Sequence, residues 1–129
     1  MKPQDSRYGS ITYVIVIMEY EGGAEIEPLL AEAAAALGQR DGCRRALLGR
    51  SPDDANRWQL MSEWDTAGQL RHGLGSYEAK MALGPLQATA IPGGGVFETL
   101  LRYESGVRSE SPSDRAADAD TSGPAGNSG

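Results

Sequence analysis

The chain has a single cysteine and a single histidine among its 129 residues. One cysteine, Cys43, cannot form an internal disulfide, and one histidine cannot supply a multi-histidine metal site. Cys43 is therefore predicted to be a small buried hydrophobe. We expect a reducing, cytoplasmic setting and no bound metal.

Long apolar runs are also missing. The longest, Val14 to Met18, is far too short to cross a bilayer, and the first residues contain no apolar core of a signal peptide. The sequence therefore predicts a protein that is neither membrane-bound nor exported.

Positive charge is scarce, because 12 Lys and Arg face 18 Asp and Glu, for a net charge of -6. An acidic chain without a basic stripe repels phosphate backbones, so we expect no nucleic-acid partner. Phosphate-loop, zinc-hydrolase and serine-hydrolase motifs do not occur, and the glycines at 93–95 lack a following helix. No cofactor is predicted.

From Ser105 onward the chain has no aromatic residue, Leu, Ile or Met. Such a segment cannot bury enough apolar surface to offset its ordering entropy. We therefore predict an N-terminal extension at 1–9, one domain at 10–104 and a disordered acidic tail at 105–129.

Hydrophobic periodicity and turn residues predict the order β, α, β, β, α, α, β. That order suits a ferredoxin-like α+β sandwich, a four-stranded antiparallel sheet with helices on one face. The first strand is apolar on both faces, so a second subunit is predicted to cover the side without helices. The predicted elements are strands at 11–20, 43–50, 57–64 and 96–103, helices at 26–37, after Thr66 and at 77–83, and a loop at 91–95.

Candidate functional residues cluster around the third strand and the helix that follows it. Alternation places Trp58, Leu60 and Trp64 on one face, and Trp64 at the strand end is predicted to form a pocket wall. His72 is the candidate general base, because its unperturbed pKa lies near neutrality. Core filling by the tryptophans and an exposed polar role for His72 are the alternatives. Further candidates for the base are Glu63, Glu78, Glu98 and Tyr77.

Several residues in order resemble the antibiotic biosynthesis monooxygenase family: Gly42-Cys43, Asp53-Asp54, Trp64-Asp65-Thr66, Leu70, Leu74 and Ser76. The resemblance implies a dimeric α/β barrel with a pocket between sheet and helices in each subunit. It also implies oxygenation of polycyclic aromatic substrates without metal, flavin or haem. Trp64 matches the pocket tryptophan of the family.

Departures from the family pattern affect the expected chemistry. Anthrone-oxidising members carry asparagine where this chain has Leu60 and tyrosine where it has Leu70. Haem-degrading members need an asparagine on the first strand, which is absent here, and their histidine falls at Leu74. Quinol-oxidising relatives place histidines at the positions of Gly73 and Glu78. Haem cleavage is therefore not expected.

The sequence thus predicts a homodimeric, cofactor-independent monooxygenase that uses molecular oxygen on a polyketide-like aromatic metabolite, of anthrone or quinol type, in secondary metabolism. Trp64 and His72 are the predicted catalytic residues. A non-redox polyketide cyclase or isomerase, and a small-molecule-binding protein without turnover, are the alternatives. Substrate contacts are predicted for Tyr13, Trp58, Leu60, Leu70, Tyr77 and Met81.

Overall fold

The structure, a computed structural model, describes residues 12–113. These residues form two compact units, one spanning Tyr13–Phe97 and the other comprising Thr12 and residues 98–113.

The first unit contains a four-stranded sheet in the order β2-β3-β1-β4, in which β3 runs antiparallel to both β1 and β2. Three helices accompany it, which confirms the predicted ferredoxin-like α+β fold. The elements are β1 (Val14–Glu21), α1 (Glu27–Gly38), β2 (Cys43–Arg50), β3 (Arg57–Trp64), α2 (Ala67–Leu74), α3 (Tyr77–Leu83) and β4 (Ala90–Glu98). Short 3-10 segments occur at Ala24–Ile26 and Gly84–Thr89.

Side-chain caps fix the starts of the two short helices. The Thr66 hydroxyl accepts a hydrogen bond from the Gln69 amide at 3.0 Å, and the Ser76 hydroxyl accepts one from the Ala79 amide at 3.2 Å. Each cap satisfies one of the amides that a helix start leaves without an intrahelical partner. The caps therefore confirm the predicted starts of α2 and α3.

One face of the sheet packs against the helices and forms the core. Strand alternation sends every second residue of β1 and β3 inward, where they meet the apolar stripes of the helices. Cys43 is half-buried beside this core, and burial raises the pKa of its thiol. The core residues are Val14, Val16, Tyr20, Ile26, Leu30, Ala33, Leu37, Trp58, Leu60, Trp64, Leu70, Ala79 and Leu86.

The other face of the sheet carries an apolar row across three strands. Ile17 of β1 lies opposite Met61 of β3, which lies opposite Leu47 of β2. Leu47 is 52% exposed. In the neighbouring row the buried Glu63 carboxylate accepts a hydrogen bond from Arg45 at 2.9 Å. A face of this composition leaves apolar surface in water.

The predicted loop at 91–95 is wrong, because β4 begins at Ala90 and runs through those residues to Glu98. Its glycines let the strand approach β1: a Cβ on Gly94 would overlap the carbonyl oxygen of Ile17. Gly93 and Gly95 take positive φ values of 129° and 155°, which glycine adopts without a steric penalty. Glycine therefore serves close strand pairing here rather than a flexible turn.

The second unit contains a β-hairpin where the sequence predicted the end of order. Strand β5 (Leu101–Glu104) pairs antiparallel with β6 (Val107–Glu110). The connecting Ser105 and Gly106 have φ values of 51° and 79°, as a tight primed turn requires. The single predicted strand 96–103 is thus divided between β4 and β5. The prediction of a disordered tail is wrong for residues 105–110, which form the turn and the strand β6. The part of the predicted tail from residue 114 onward lies outside the described residues, and so does the predicted extension at 1–9.

Candidate functional site

An apolar cavity of about 410 Å³ lies beside β1, next to the ends of α2 and α3. Its volume falls in the range of pockets that hold small organic ligands. Its walls come from the inner face of the sheet, from the helix ends and from the segment that leads into β4. The lining residues are Met18, Tyr20, Leu74, Lys80, Leu83, Gly84, Leu86, Gln87 and Ala90.

Local structure explains why these residues meet. Met18 and Tyr20 share the inward parity of β1, so both side chains leave the sheet on the helix side. Leu74 is the last residue of α2, and the Ser76 cap starts α3 immediately afterwards. Lys80 and Leu83 are three residues apart on α3 and therefore share one side of that helix. Two helix ends and one strand thus border the cavity.

Tyr20 is the one buried residue with a polar side chain among those that line the cavity. Its side chain is 5% exposed, and its hydroxyl donates a hydrogen bond to Met18 Sδ at 3.4 Å. Burial raises the pKa of the phenol above 10.0, its ordinary value. The hydroxyl therefore stays protonated at neutral pH and acts as a hydrogen-bond donor.

A second cavity of about 410 Å³ lies along β1 and the start of β4. It shares Met18, Tyr20 and Ala90 with the first cavity, so these three residues form a common wall. Gly93 and Gly94 of β4 also line it. Tyr20 therefore lies between the two cavities.

Trp64, the predicted pocket tryptophan, is completely buried. Its indole N–H donates to the Ser62 hydroxyl at 2.9 Å, and its six-membered ring packs under Gly73, where an added Cβ would approach ring carbons to 2.5 Å. Trp64 does not line the cavity described above. Its contacts are those of a core residue that anchors α2 to the end of β3.

Trp58 and Leu60 are also buried, directly across the strands from the cavity residues. Trp58 pairs with Tyr20, and Leu60 pairs with Met18. The Trp58 indole N–H donates to the Gly22 carbonyl at 2.9 Å. The predicted substrate contacts on β3 therefore lie one strand away from the cavity wall, on the same face of the sheet.

His72 is exposed on α2 and lies in a small polar cleft with Arg40, Asp41 and Ser76. Arg40 in this cleft pairs with Glu78 at 3.2 Å. The cleft, of about 120 Å³, is separate from the apolar cavity in its lining residues. The structure does not bring His72 together with Tyr20, and its role as a base stays a prediction.

The remaining predicted contacts are dispersed. Leu70 is buried in the core, whereas Tyr77 and Met81 are 72% and 57% exposed on α3. Tyr13, just before β1, is half-buried and stacks under the guanidinium of Arg44 at 4.2 Å. None of the eight predicted site residues lines the apolar cavity, and the roles assigned to them stay predictions.

Sequence analysis missed Tyr20, Lys80 and Gln87 as lining residues. Strand β1 is apolar on both faces, so alternation alone does not show that Tyr20 faces inward. Lys80 and Gln87 carry no sequence signal either. Only the turn from α3 into the 3-10 segment places them beside β1.

Between residues 12 and 113, no three His, Cys, Asp or Glu side chains are grouped so that they could hold a metal ion. In the same range, none of the helices combines the length and the apolar character that crossing a bilayer requires.

The sequence profile of the antibiotic biosynthesis monooxygenase family matches residues 16–82, more than half of the chain. The chain belongs to this family. The matched range extends from β1 to α3 and includes four of the nine residues that line the cavity, namely Met18, Tyr20, Leu74 and Lys80. No curated protein sequence matches the chain significantly.

Solved structures share this fold at low sequence identity. The chain is similar to SnoaB, a cofactor-independent oxygenase from Streptomyces nogalater, with a TM-score of 0.60, 23% identity and coverage of 68% of this chain and 92% of SnoaB. Rv0793 from Mycobacterium tuberculosis gives a TM-score of 0.57 at 18% identity, with 72% and 98% covered. A conserved protein from Methanosarcina mazei gives 0.55 at 13%, with 72% and 96% covered.

Proposed function

We propose that this family member is a cofactor-independent monooxygenase that oxidises a polycyclic aromatic, polyketide-like metabolite of the anthrone or quinol type. The observation that carries the proposal is the apolar cavity of about 410 Å³, which lies between the sheet and the helix ends and has the hydroxyl of the buried Tyr20 in its wall. The described oxygenase activity of SnoaB, which shares the fold, supports it.

In the proposed reaction the substrate itself supplies the electrons. Loss of a proton gives a phenolate or carbanion, which passes an electron to oxygen, and the resulting pair combines to form a carbon–oxygen bond. For an anthrone, one oxygen atom becomes the new carbonyl, and the other leaves as water with the two methylene hydrogens. The protein contributes a shaped, water-poor cavity and a donor for the developing oxyanion.

A non-redox cyclase or isomerase is the second candidate. Anthrone-oxidising relatives carry polar side chains at two positions where this chain has Leu60 and Leu70, and both leucines are buried in the apolar core. The missing polar groups favour a reaction other than anthrone oxidation. Product mass separates the two functions: oxygenation of an anthrone adds oxygen and removes hydrogen, whereas isomerisation leaves the mass unchanged and cyclisation with dehydration loses water.

Filling the cavity with a large side chain is expected to lower the rate of oxygen uptake. With a model anthrone, no added cofactor and a protein-free blank, we expect uptake by the wild type and at least a tenfold lower rate for Ala90→Trp, since an indole at this lining position occupies the space of the substrate. The rate is measured with an oxygen electrode.

Ala88→Trp is the matched control. Ala88 is exposed two residues earlier and does not line the cavity, so this variant should retain the wild-type rate. Equal rates of oxygen uptake in Ala90→Trp and Ala88→Trp would show that the substrate does not react in this cavity. No protein-dependent uptake by the wild type would contradict the oxygenase proposal for this substrate class and give weight to the cyclase.

We also propose that two copies of the chain pair through the apolar face of the sheet, with Ile17, Met61 and Leu47 at the contact. Covering this row would remove half-exposed aliphatic surface from water, which favours association. Sedimentation at micromolar concentration should show a dimer for the wild type and a monomer for Leu47→Lys. Ala35→Lys, at an exposed site on α1, should remain dimeric. A monomeric wild type would contradict the proposal.

A further inference from the structure

The hydroxyl of Tyr20, in the wall of the apolar cavity, has a weak hydrogen-bond acceptor. The Tyr20 hydroxyl is buried, and within the described part of the chain its acceptor is the thioether sulfur of Met18, at 3.4 Å. A thioether is a weak acceptor. An oxygen atom of a ligand would be a better partner, so the hydroxyl can exchange sulfur for ligand without losing a strong hydrogen bond.

Lys80 adds a positive charge to the same wall. It lies on the side of α3 that faces the cavity, and its side chain is exposed. Among residues 12–113, no carboxylate forms an ion pair with its ammonium group. A cation at the edge of a largely apolar cavity favours an anionic ligand over a neutral one.

We propose that this cavity binds its aromatic ligand as the phenolate, with the Tyr20 hydroxyl turning from Met18 Sδ to donate a hydrogen bond to the phenolate oxygen and the Lys80 ammonium balancing the charge. The inference rests on the proposed function in that the phenolate is the electron-rich form that reacts with oxygen. Binding itself transfers no electron, and the proton of the phenol passes to bulk water.

Both groups distinguish the phenolate from the phenol. A neutral phenol can accept one hydrogen bond from Tyr20, but it presents no full charge to Lys80. Hydrogen bonds to ionised groups are stronger than those between neutral groups. The bound ligand should therefore lose its proton at a lower pH than the free ligand does.

The test uses 7-hydroxycoumarin, a planar two-ring phenol whose protonated and ionised forms absorb at different wavelengths. Titrated with full-length protein in excess, the probe should show an apparent pKa at least about one unit below that of the free probe, which corresponds to about tenfold tighter binding of the phenolate. Tyr20→Phe keeps the ring and removes only the hydroxyl, and it should cut this preference about tenfold. Lys80→Met should reduce it several-fold.

Two controls separate recognition from packing. 7-Methoxycoumarin has the same ring system and no ionisable proton, so its affinity should be the same for wild type, Tyr20→Phe and Lys80→Met. Met18→Leu removes the competing sulfur, so it should keep or increase the phenolate preference. Should Tyr20→Phe fail to fold, Lys80→Met at its exposed site and Met18→Leu still decide the outcome.

An unshifted titration in the wild type, a shift that persists undiminished in both Tyr20→Phe and Lys80→Met, or no binding of the probe would each overturn the inference. Failure of the oxygenase proposal looks different. A shifted titration without oxygen uptake would keep phenolate binding and discard the oxygenase, whereas uptake with an unshifted titration would do the reverse.

Discussion

Trp64→Ala is expected to lower the free energy of unfolding by about 3–5 kcal/mol, the usual cost of removing a large buried aromatic side chain. Trp64 is completely buried, its ring fills the space under Gly73, and its N–H is bonded to Ser62. Such a loss is a large fraction of the stability of a small domain. Urea unfolding followed by circular dichroism measures it, and a cost below about 1 kcal/mol would contradict the packing described.

Gly73→Ala tests the same contact from the other side. In the wild type its Cβ would come to 2.5 Å from two ring carbons of Trp64, so overpacking should cost about 1–3 kcal/mol. In a Trp64→Leu background the space is open, and the higher helix propensity of alanine should stabilise by up to about 1 kcal/mol. Gly68→Ala, on the same helix with nearest neighbour Thr66 at 3.8 Å, should be harmless in both backgrounds.

A Trp64→Ala variant that loses activity has also lost the anchor between β3 and α2, so its inactivity does not identify a substrate contact. Ala90→Trp and Tyr20→Phe act on the cavity wall with smaller changes to the core. These variants are the better probes of the site.

Gly94→Ala is expected to destabilise the protein by about 2 kcal/mol or more. A Cβ at this position overlaps the carbonyl oxygen of Ile17, which belongs to the backbone of β1 and cannot rotate away as a side chain can. The strand β4 would have to separate from β1. The wall that Ala90 shares with Tyr20 would be disturbed as well.

Gly49→Ala is the matched control on the other edge strand, β2. No atom lies within 4 Å of a Cβ added there, so the variant should be neutral or slightly stabilising. Thermal unfolding and amide exchange of both variants provide the comparison. Equal stability of the two would mean that β4 does not approach β1 as described.

Much of the fold follows from local patterns in the sequence. The bounds of β2, β3 and α3 agree with the predicted ranges, because each is delimited by turn residues or a side-chain cap within a few positions. Thr66 and Ser76 act on amides three residues away, so their effect can be inferred without tertiary information. The family resemblance rests on the same segments.

The errors arose where a residue type has two uses. Gly93 and its neighbours favour a turn by local propensity, but here they permit close pairing of β4 with β1. Residues 105–110 are poor in aliphatic residues, yet Ser105 and Gly106 form a tight turn that pairs Val107 with Glu104. In both places, pairing with a neighbouring strand outweighed the local preference of these residues for a turn or for disorder.

By itself the sequence determined the fold class and the inward face of β3, because periodicity and caps act over a few residues, and its motifs in order indicated the family. The tertiary structure alone decided where the cavity lies. Trp64 and Tyr20 are both inward-facing aromatics, but α2 covers Trp64 through Gly73, whereas Tyr20 meets the space left between the helix ends and β4. Which inward side chain remains accessible depends on what packs above it, and that contact joins residues far apart in the chain.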